Sequence, residues 1–101
     1  MAKHIILWTL KSDLSDKEKE NVKKEIKTGL ESLKGKITGL VDIKLTTIGR
    51  LSSSTADLML DSTFENREAL AFYSTHSEHV TVADSKVRPF TSARSCLDFE
   101  I

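Results

Sequence analysis

Residues 73–80 read Tyr73-Ser74-Thr75-His76-Ser77-Glu78-His79-Val80 and contain the only tyrosine and two of the three histidines of this 101-residue chain. The pattern predicts a helix from Arg67 to about Thr75, then a break, then a short helix from Glu78 to Ala83 capped by Ser77. On one continuous helix, Tyr73 and His79 would point about 120° apart. A break between them lets both side chains face one cavity, so this stretch determines the end of the fold and its candidate chemistry.

The remaining elements follow from hydrophobic periodicity and from capping residues. Ser15 and Glu18 have the spacing of a capping box, and Asn66 can cap the helix that begins at Arg67. We predict a helix over Asp16–Leu33 and strands over Lys3–Lys11, Leu40–Ile48, Ala56–Thr63 and Ser92–Ile101. The order β-α-β-β-α-β predicts an α+β, ferredoxin-like fold in one domain over residues 1–101, with a four-stranded antiparallel sheet and its helices on one face.

The first strand is apolar on both of its faces. Ile5 and Leu7 alternate with Ile6, Trp8 and Leu10, although helices cover only one face of such a sheet. We expect three further residues to need cover on the other face, namely Leu45, Met59 and Phe99. The pattern therefore predicts a homodimer in which two sheets pack face to face.

Composition excludes several classes of partner. The 15 basic and 15 acidic side chains cancel, so no global field draws the chain to nucleic acid or to an anionic membrane. No apolar run is long enough for a signal sequence or a membrane span. Cys96 is the only cysteine, and we expect it to be a buried, inert thiol of a cytoplasmic protein.

We expect no metal and no cofactor. His76, Glu78, His79 and Asp84 are metal-ligand types, but their spacing matches no established zinc motif. The four glycines do not form a phosphate-binding loop. The sequence therefore favours chemistry that the side chains perform unaided.

His79 and Tyr73 are the candidate catalytic pair. A histidine that is neutral near pH 7 can take a proton from a carbon next to a carbonyl, and a phenol can hydrogen-bond the enolate oxygen that develops. The structural alternative is that His79 bonds a backbone carbonyl at a helix end and that Tyr73 is an ordinary core aromatic.

Three more residues are candidates for binding a ligand in the same cavity. His4 can reach it from the first strand, and Trp8 and Leu58 can form its apolar walls. His76 is interpreted as structural. The polar segment Gly49–Thr55 is either a lid or a plain connector.

Several segments together resemble the stress-responsive dimeric α/β-barrel family, Dabb. They are the opening strand Lys3–Trp8, the turn Leu33–Leu40 with its two glycines, Asp57-Leu58 leading to Phe64-Glu65, and Ala69-Leu70 followed by Tyr73-x-x-His76-x-x-His79-Val80. The resemblance implies a cytosolic homodimer whose two sheets form a barrel.

The resemblance also implies roles for residues. In a plant member that cyclises a polyketide by an intramolecular aldol condensation, the catalytic tyrosine and histidine match Tyr73 and His79, and a first-strand histidine matches His4. Leu58 stands where that enzyme has a further pocket histidine, and Ser77 stands where proline is usual.

Two functions remain open at this point. One is a protein that binds or converts a small carbonyl compound, without a cofactor, as a lyase or cyclase or as an isomerase-type proton-transfer enzyme. The other is a stress-associated interaction or chaperone-like protein with a structural barrel. An open cavity beneath Tyr73 and His79 favours the first, and a space filled by Trp8, Leu58 and Phe72 favours the second.

Overall fold

The elements follow the predicted order, and the second helix is split. The computed structural model describes residues 1–101. The strands and helices are β1 (Ala2–Leu10), α1 (Asp16–Glu31), β2 (Leu40–Thr46), β3 (Leu58–Phe64), α2 (Arg67–Thr75), α3 (Ser77–Val82) and β4 (Thr91–Glu100). A π-helical turn over Ala83–Val87 and a 3₁₀ turn over Arg88–Phe90 join α3 to β4. The predicted bounds differ from these by one to two residues at most ends.

The sheet has the strand order β2-β3-β1-β4 and is antiparallel throughout. The central strand β1 places His4 opposite Ser62 of β3 and opposite Asp98 of β4. Partners in an antiparallel pair point to the same face. The register therefore brings a histidine and a carboxylate from opposite ends of the chain into contact.

Helix α1 forms where capping and periodicity agree. Ser15 accepts from the Glu18 backbone N–H at 3.1 Å and Glu18 accepts from the Ser15 N–H at 2.9 Å, which confirms the capping box. Val22, Ile26 and Leu30 face the sheet and are buried. Burial of one such side chain contributes about 1.5–3 kcal/mol. None of the helices combines the length and hydrophobicity that crossing a bilayer requires.

The helices cover one face of the sheet and leave the other face open. Ile6, Trp8 and Leu10 lie under the helices and are buried, whereas Leu7 on the opposite face is 43% exposed. Phe99 also lies on the open face, as we expected. Leu45 does not: the prediction for it is wrong, because it pairs with Leu60 in the helix-facing row and is buried in the core.

Strand β4 lies at an edge of the sheet beyond the reach of the helices. Nearly all of its residues are exposed on both faces, including Cys96. The expectation of a buried Cys96 is therefore wrong, because no helix covers this part of the sheet in the single chain. The side of β4 that continues the helix-covered face is where the candidate site opens.

Candidate functional site

The break between α2 and α3 brings Tyr73 and His79 together. Helix α2 starts at its Asn66 cap, which accepts from the Ala69 N–H at 2.8 Å, and ends at Thr75. His76 is extended, with φ −65° and ψ 133°, and its ring accepts from the Glu78 N–H at 3.1 Å. His76 rather than Ser77 therefore caps α3, which corrects the predicted cap and gives His76 the structural role expected for it.

Tyr73 is almost fully buried among aromatic rings. It is 1% exposed, and its ring centroid lies 5.0 Å from that of Phe64 and 4.1 Å from that of His79. Burial raises the pKa of the Tyr73 phenol well above its usual 10, so the hydroxyl stays protonated and is a donor. It is the one buried side-chain oxygen or nitrogen with no hydrogen-bond partner. A buried unpartnered hydroxyl costs stability, so this one calls for an explanation.

His79 is partly buried and has one nitrogen engaged. Its Nδ1 lies 3.3 Å from the Ser74 carbonyl oxygen, which can only accept, so Nδ1 carries the proton and Nε2 keeps a lone pair. Burial lowers the pKa of His79, and the charges of His4, Arg88 and Arg94 lower it further, against the opposing effect of the Ser74 bond. His79 is therefore a neutral base near pH 7.

His4 is the buried histidine of β1, and a hydrogen bond to the neighbouring strand β4 fixes its ring. Its Nδ1 donates to the Asp98 carboxylate on the neighbouring strand, and the ring lies 6.2 Å from Tyr73, centroid to centroid. A carboxylate on Nδ1 fixes the tautomer and orientation of an imidazole. The bond from Ser62 Oγ to the His4 carbonyl oxygen, at 2.8 Å, holds the backbone at the same residue.

These side chains line one cavity of about 240 Å³. Its walls include His4, Trp8, Tyr73, His79, Arg88 and Arg94. Phe72 is half-exposed and packs on His76, so it does not fill the space. The structure thus brings together four of the five predicted site residues, which lie on β1, α2 and α3.

Leu58, the fifth, lies elsewhere. It is buried next to Trp8 in the β1–β3 pairing and does not line the cavity. It lines a second cavity of about 380 Å³ instead, which is formed by Leu7, the segment 46–51 and residues 54–59. That cavity contains no histidine or tyrosine. Most of the polar segment Gly49–Thr55 borders this second space, so it is not positioned to close over Tyr73 and His79.

Sequence analysis missed the two charged side chains that line the cavity and the carboxylate that bonds His4. Arg88 and Arg94 line it, and Asp98 orients His4. Arg94, Cys96 and Asp98 occupy alternate positions of β4 and so share one face. This spacing in the sequence was enough to predict that they lie together. The β1–β4 register, which the sequence does not specify, decides what they oppose.

His4, Cys96 and Asp98 are the group whose atoms could hold a metal ion. Their ligand atoms lie within 4.8 Å of one another, and the ligand types suit zinc. Hydrogen bonds already join them: Cys96 Sγ lies 3.4 Å from Asp98 and 3.7 Å from His4 Nδ1. Partial desolvation of the sulfur, together with the hydrogen bond and charge of Asp98, raises the pKa of the Cys96 thiol, which keeps it protonated and a poor nucleophile.

Fold and cavity together define a class: a small ferredoxin-like α+β protein with a histidine–tyrosine pocket at its split helix. The sequence matches the stress-responsive A/B barrel domain family, Dabb, over residues 2–101, so the chain belongs to that family. No curated protein matches the chain.

Solved structures agree with this fold. A dimeric protein of unknown function from Bacteroides fragilis, with a ferredoxin-like fold, is 31% identical, has a TM-score of 0.90, and covers 99% of this chain and 95% of its own. A dimeric ferredoxin-like protein of unknown function from Thermobifida fusca is 16% identical, with TM-score 0.82 and coverage of 99% and 90%. A hydroxynitrile lyase from Passiflora edulis is 18% identical, with TM-score 0.78 and coverage of 99% and 92%. The last two similarities establish the fold alone.

Proposed function

We propose that the cavity binds a small carbonyl compound and that His79 and Tyr73 move a proton on the carbon next to its carbonyl. The observation that carries the proposal is the Tyr73 hydroxyl, which is buried, protonated and without a partner beside the cavity. A carbonyl oxygen would supply the missing acceptor. The hydroxynitrile lyase has the same fold, but the proposal depends on the side chains of this chain.

Each group has one role in the proposed step. His79 Nε2 takes the proton as the C–H bond breaks, and the electron pair moves onto the carbonyl oxygen. The Tyr73 hydroxyl donates to that oxygen as it gains negative charge. Return of the proton to a different atom completes an isomerisation. Attack of the enolate on a second carbonyl of the same substrate forms a carbon–carbon bond, and the oxygen of that carbonyl then takes the proton back from His79 to complete a cyclisation. The step needs no cofactor.

His4 assists the pair rather than replacing either member. Asp98 holds Nδ1, which leaves Nε2 of His4 free. This second polar group in the cavity is a hydrogen-bond acceptor and can orient a substrate that carries a donor, such as a hydroxyl group. Trp8 supplies the apolar wall against which the carbon skeleton packs.

Proton exchange is the direct test. In deuterated buffer, an enolisable ketone or oxo acid that binds should exchange its α-protons faster with the wild type, measured by proton NMR. We expect His79→Gln to lose about 100-fold or more of the rate and Tyr73→Phe a comparable amount. His76→Asn is the matched control, since it keeps a capping side chain outside the cavity and should exchange like the wild type.

The contrary outcome is equally clear. If no compound of a broad carbonyl panel binds or exchanges, or if all variants exchange alike, the proposal fails. The chaperone-like or interaction protein with a structural barrel would then be the better description, and the Tyr73 hydroxyl would need another explanation.

We also propose that this chain forms a homodimer through the open face of its sheet. Leu7, Leu97 and Phe99 are 43%, 62% and 41% exposed there, and the relatives from Bacteroides and Thermobifida are dimeric. A second copy would bury this apolar surface. Light scattering after size exclusion should give twice the chain mass for the wild type and a smaller mass for Leu97→Asp. A wild-type mass of one chain at micromolar concentration would exclude the dimer.

We propose a reducing compartment, the cytoplasm, as the location. The chain has one cysteine, which is exposed as a free thiol, so no intrachain disulfide contributes to its stability. Fractionation of cells that express the native protein tests this: recovery in the membrane or secreted fraction would contradict it.

A further inference from the structure

The cavity is lined by two arginines and by no carboxylate. Arg88 and Arg94 supply its positive charge, and none of its other lining residues is acidic. The chain as a whole has equal numbers of basic and acidic side chains, so this is a local excess of positive charge. A lining of one sign concentrates ligands of the opposite sign.

Arg94 differs from the other three arginines of the chain in having no partner. Arg50 pairs with Asp57 at 3.3 Å, Arg67 pairs with Glu100 at 3.4 Å, and Arg88 pairs with Asp84. Arg94 takes part in none of the ion pairs or side-chain hydrogen bonds of the structure. Its planar fork of N–H donors, which matches a carboxylate in geometry, is therefore free at the cavity.

The carboxylates near Arg94 are already engaged. Asp98 lies on the same face of β4, four residues along, but it accepts from His4 and from Cys96. Asp84 pairs with Arg88, which follows it by four residues. The chain therefore leaves Arg94 without an internal counter-ion. The lowered pKa of His79, to which burial contributes first and Arg88 and Arg94 contribute too, is consistent with that unbalanced charge.

Given the proposed function, on which this inference rests, we propose that the ligand is an oxo acid and that Arg94 pairs with its carboxylate. The carbonyl oxygen then faces the Tyr73 hydroxyl, and the carbon that loses a proton faces His79. Arg94 is thus a specificity residue that selects the acid over a neutral ketone and sets which carbon reaches the base. Arg88 adds charge but is already paired with Asp84.

A matched pair of probes tests this inference by binding alone. Phenylpyruvate and its methyl ester share the enolisable ketone and the ring, and differ only in the carboxylate. We expect the wild type to bind the acid about tenfold or more tightly than the ester, by calorimetry or NMR titration. A hydrogen bond to a charged group is worth about 1.5–3 kcal/mol, and 1.4 kcal/mol is tenfold in affinity.

Variants then assign the preference to one side chain. Arg94→Gln should weaken binding of the acid about tenfold and leave the affinity for the ester within twofold of the wild type. Arg94→Lys should retain part of the preference for the acid through its charge. Arg67→Gln removes an arginine of α2 that is paired with Glu100 outside the cavity, and it should bind both probes like the wild type.

The outcomes separate this inference from the proposed function. If acid and ester bind equally, or if Arg94→Gln weakens both alike, the anion proposal is overturned while the carbonyl pocket stands. If neither probe binds the wild type at millimolar concentration, the oxo-acid proposal fails. The α-proton exchange panel, which includes neutral ketones, then decides separately whether the carbonyl pocket itself survives.

Discussion

The two parts of the helix layer bury very different surfaces against the same sheet. Helix α1 places Val22, Ile26 and Leu30 on hydrocarbon. Its partly buried polar side chains, Lys27 and Glu31, bond each other and the backbone of Leu45. The α2–α3 segment instead buries titratable side chains against the sheet, namely its own Tyr73 and His4 of β1. The first arrangement is what stability alone would select. The second retains buried polar groups that a purely structural core would not need.

The difference identifies where function costs stability. A buried hydroxyl without a partner destabilises a fold by about 1–3 kcal/mol. Such local inconsistencies tend to occur at functional sites, because the rest of the fold offsets them. The α1 side has none, and the α2–α3 side has the Tyr73 hydroxyl, so variants on the two sides should respond in opposite directions.

The largest effect is expected on the α1 side. Ile26→Ala removes a side chain that is fully buried, and the lost burial plus the cavity left behind should cost about 2–5 kcal/mol of unfolding free energy. Urea denaturation at fixed protein concentration measures it, since the stability of an oligomer depends on concentration. Lys24→Ala, an exposed change two residues away, should stay within about 0.5 kcal/mol. Equal effects of the two variants would contradict the packing described for α1.

A smaller effect of opposite sign is expected at Tyr73. Tyr73→Phe removes only the unpartnered hydroxyl, so the variant should be about 1 kcal/mol more stable than the wild type while its α-proton exchange falls. Ser62→Ala is the matched control, because its buried hydroxyl donates to the His4 carbonyl oxygen at 2.8 Å and its loss should destabilise by about 1 kcal/mol. A destabilised Tyr73→Phe would show that the hydroxyl has a structural partner.

Sequence reasoning succeeded where periodicity and capping agree. The S-x-x-E box predicted the start of α1, and the Val22–Leu30 stripe predicted its buried face. The Asn66 cap predicted the start of α2. The resemblance to the Dabb family is confirmed by the match over residues 2–101. These signals are local, so the spacing of a few residues is enough to determine them.

Sequence reasoning failed where pairing between distant segments decides. Leu58 was expected to form an apolar wall of the cavity with Trp8. It pairs with Trp8 across β1 and β3 but lines the other cavity. Arg94 and Asp98 reach the site only through the β1–β4 register, across more than eighty residues of chain. Register is a tertiary property, so the alternation along β4 could not show which residues Arg94 and Asp98 would oppose.

The smallest expected effect is in the pH dependence of stability. It tests the contrast between α1, whose buried side chains are all hydrocarbon, and the α2–α3 segment, which contains His79. The folded protein lowers the pKa of His79 below its usual 6.5, mainly by burial, with His4, Arg88 and Arg94 adding to the shift. Just below pH 6.5 the unfolded chain therefore binds more protons at this position than the folded chain does. Stability from this source is fully present above pH 6.5 and is lost as the pH falls through the window below it.

The expected result is that the wild type loses more stability than His79→Gln between pH 7 and pH 5, measured by urea midpoints. His4 remains in both proteins, so the difference isolates His79. Ile26→Ala should be lower than the wild type by the same amount at every pH, since it changes no titratable group. Parallel profiles for wild type and His79→Gln would mean that the imidazole titrates as it does in the unfolded chain. Such a histidine would be partly protonated near neutral pH, and it would be a weaker base than the proposed step requires.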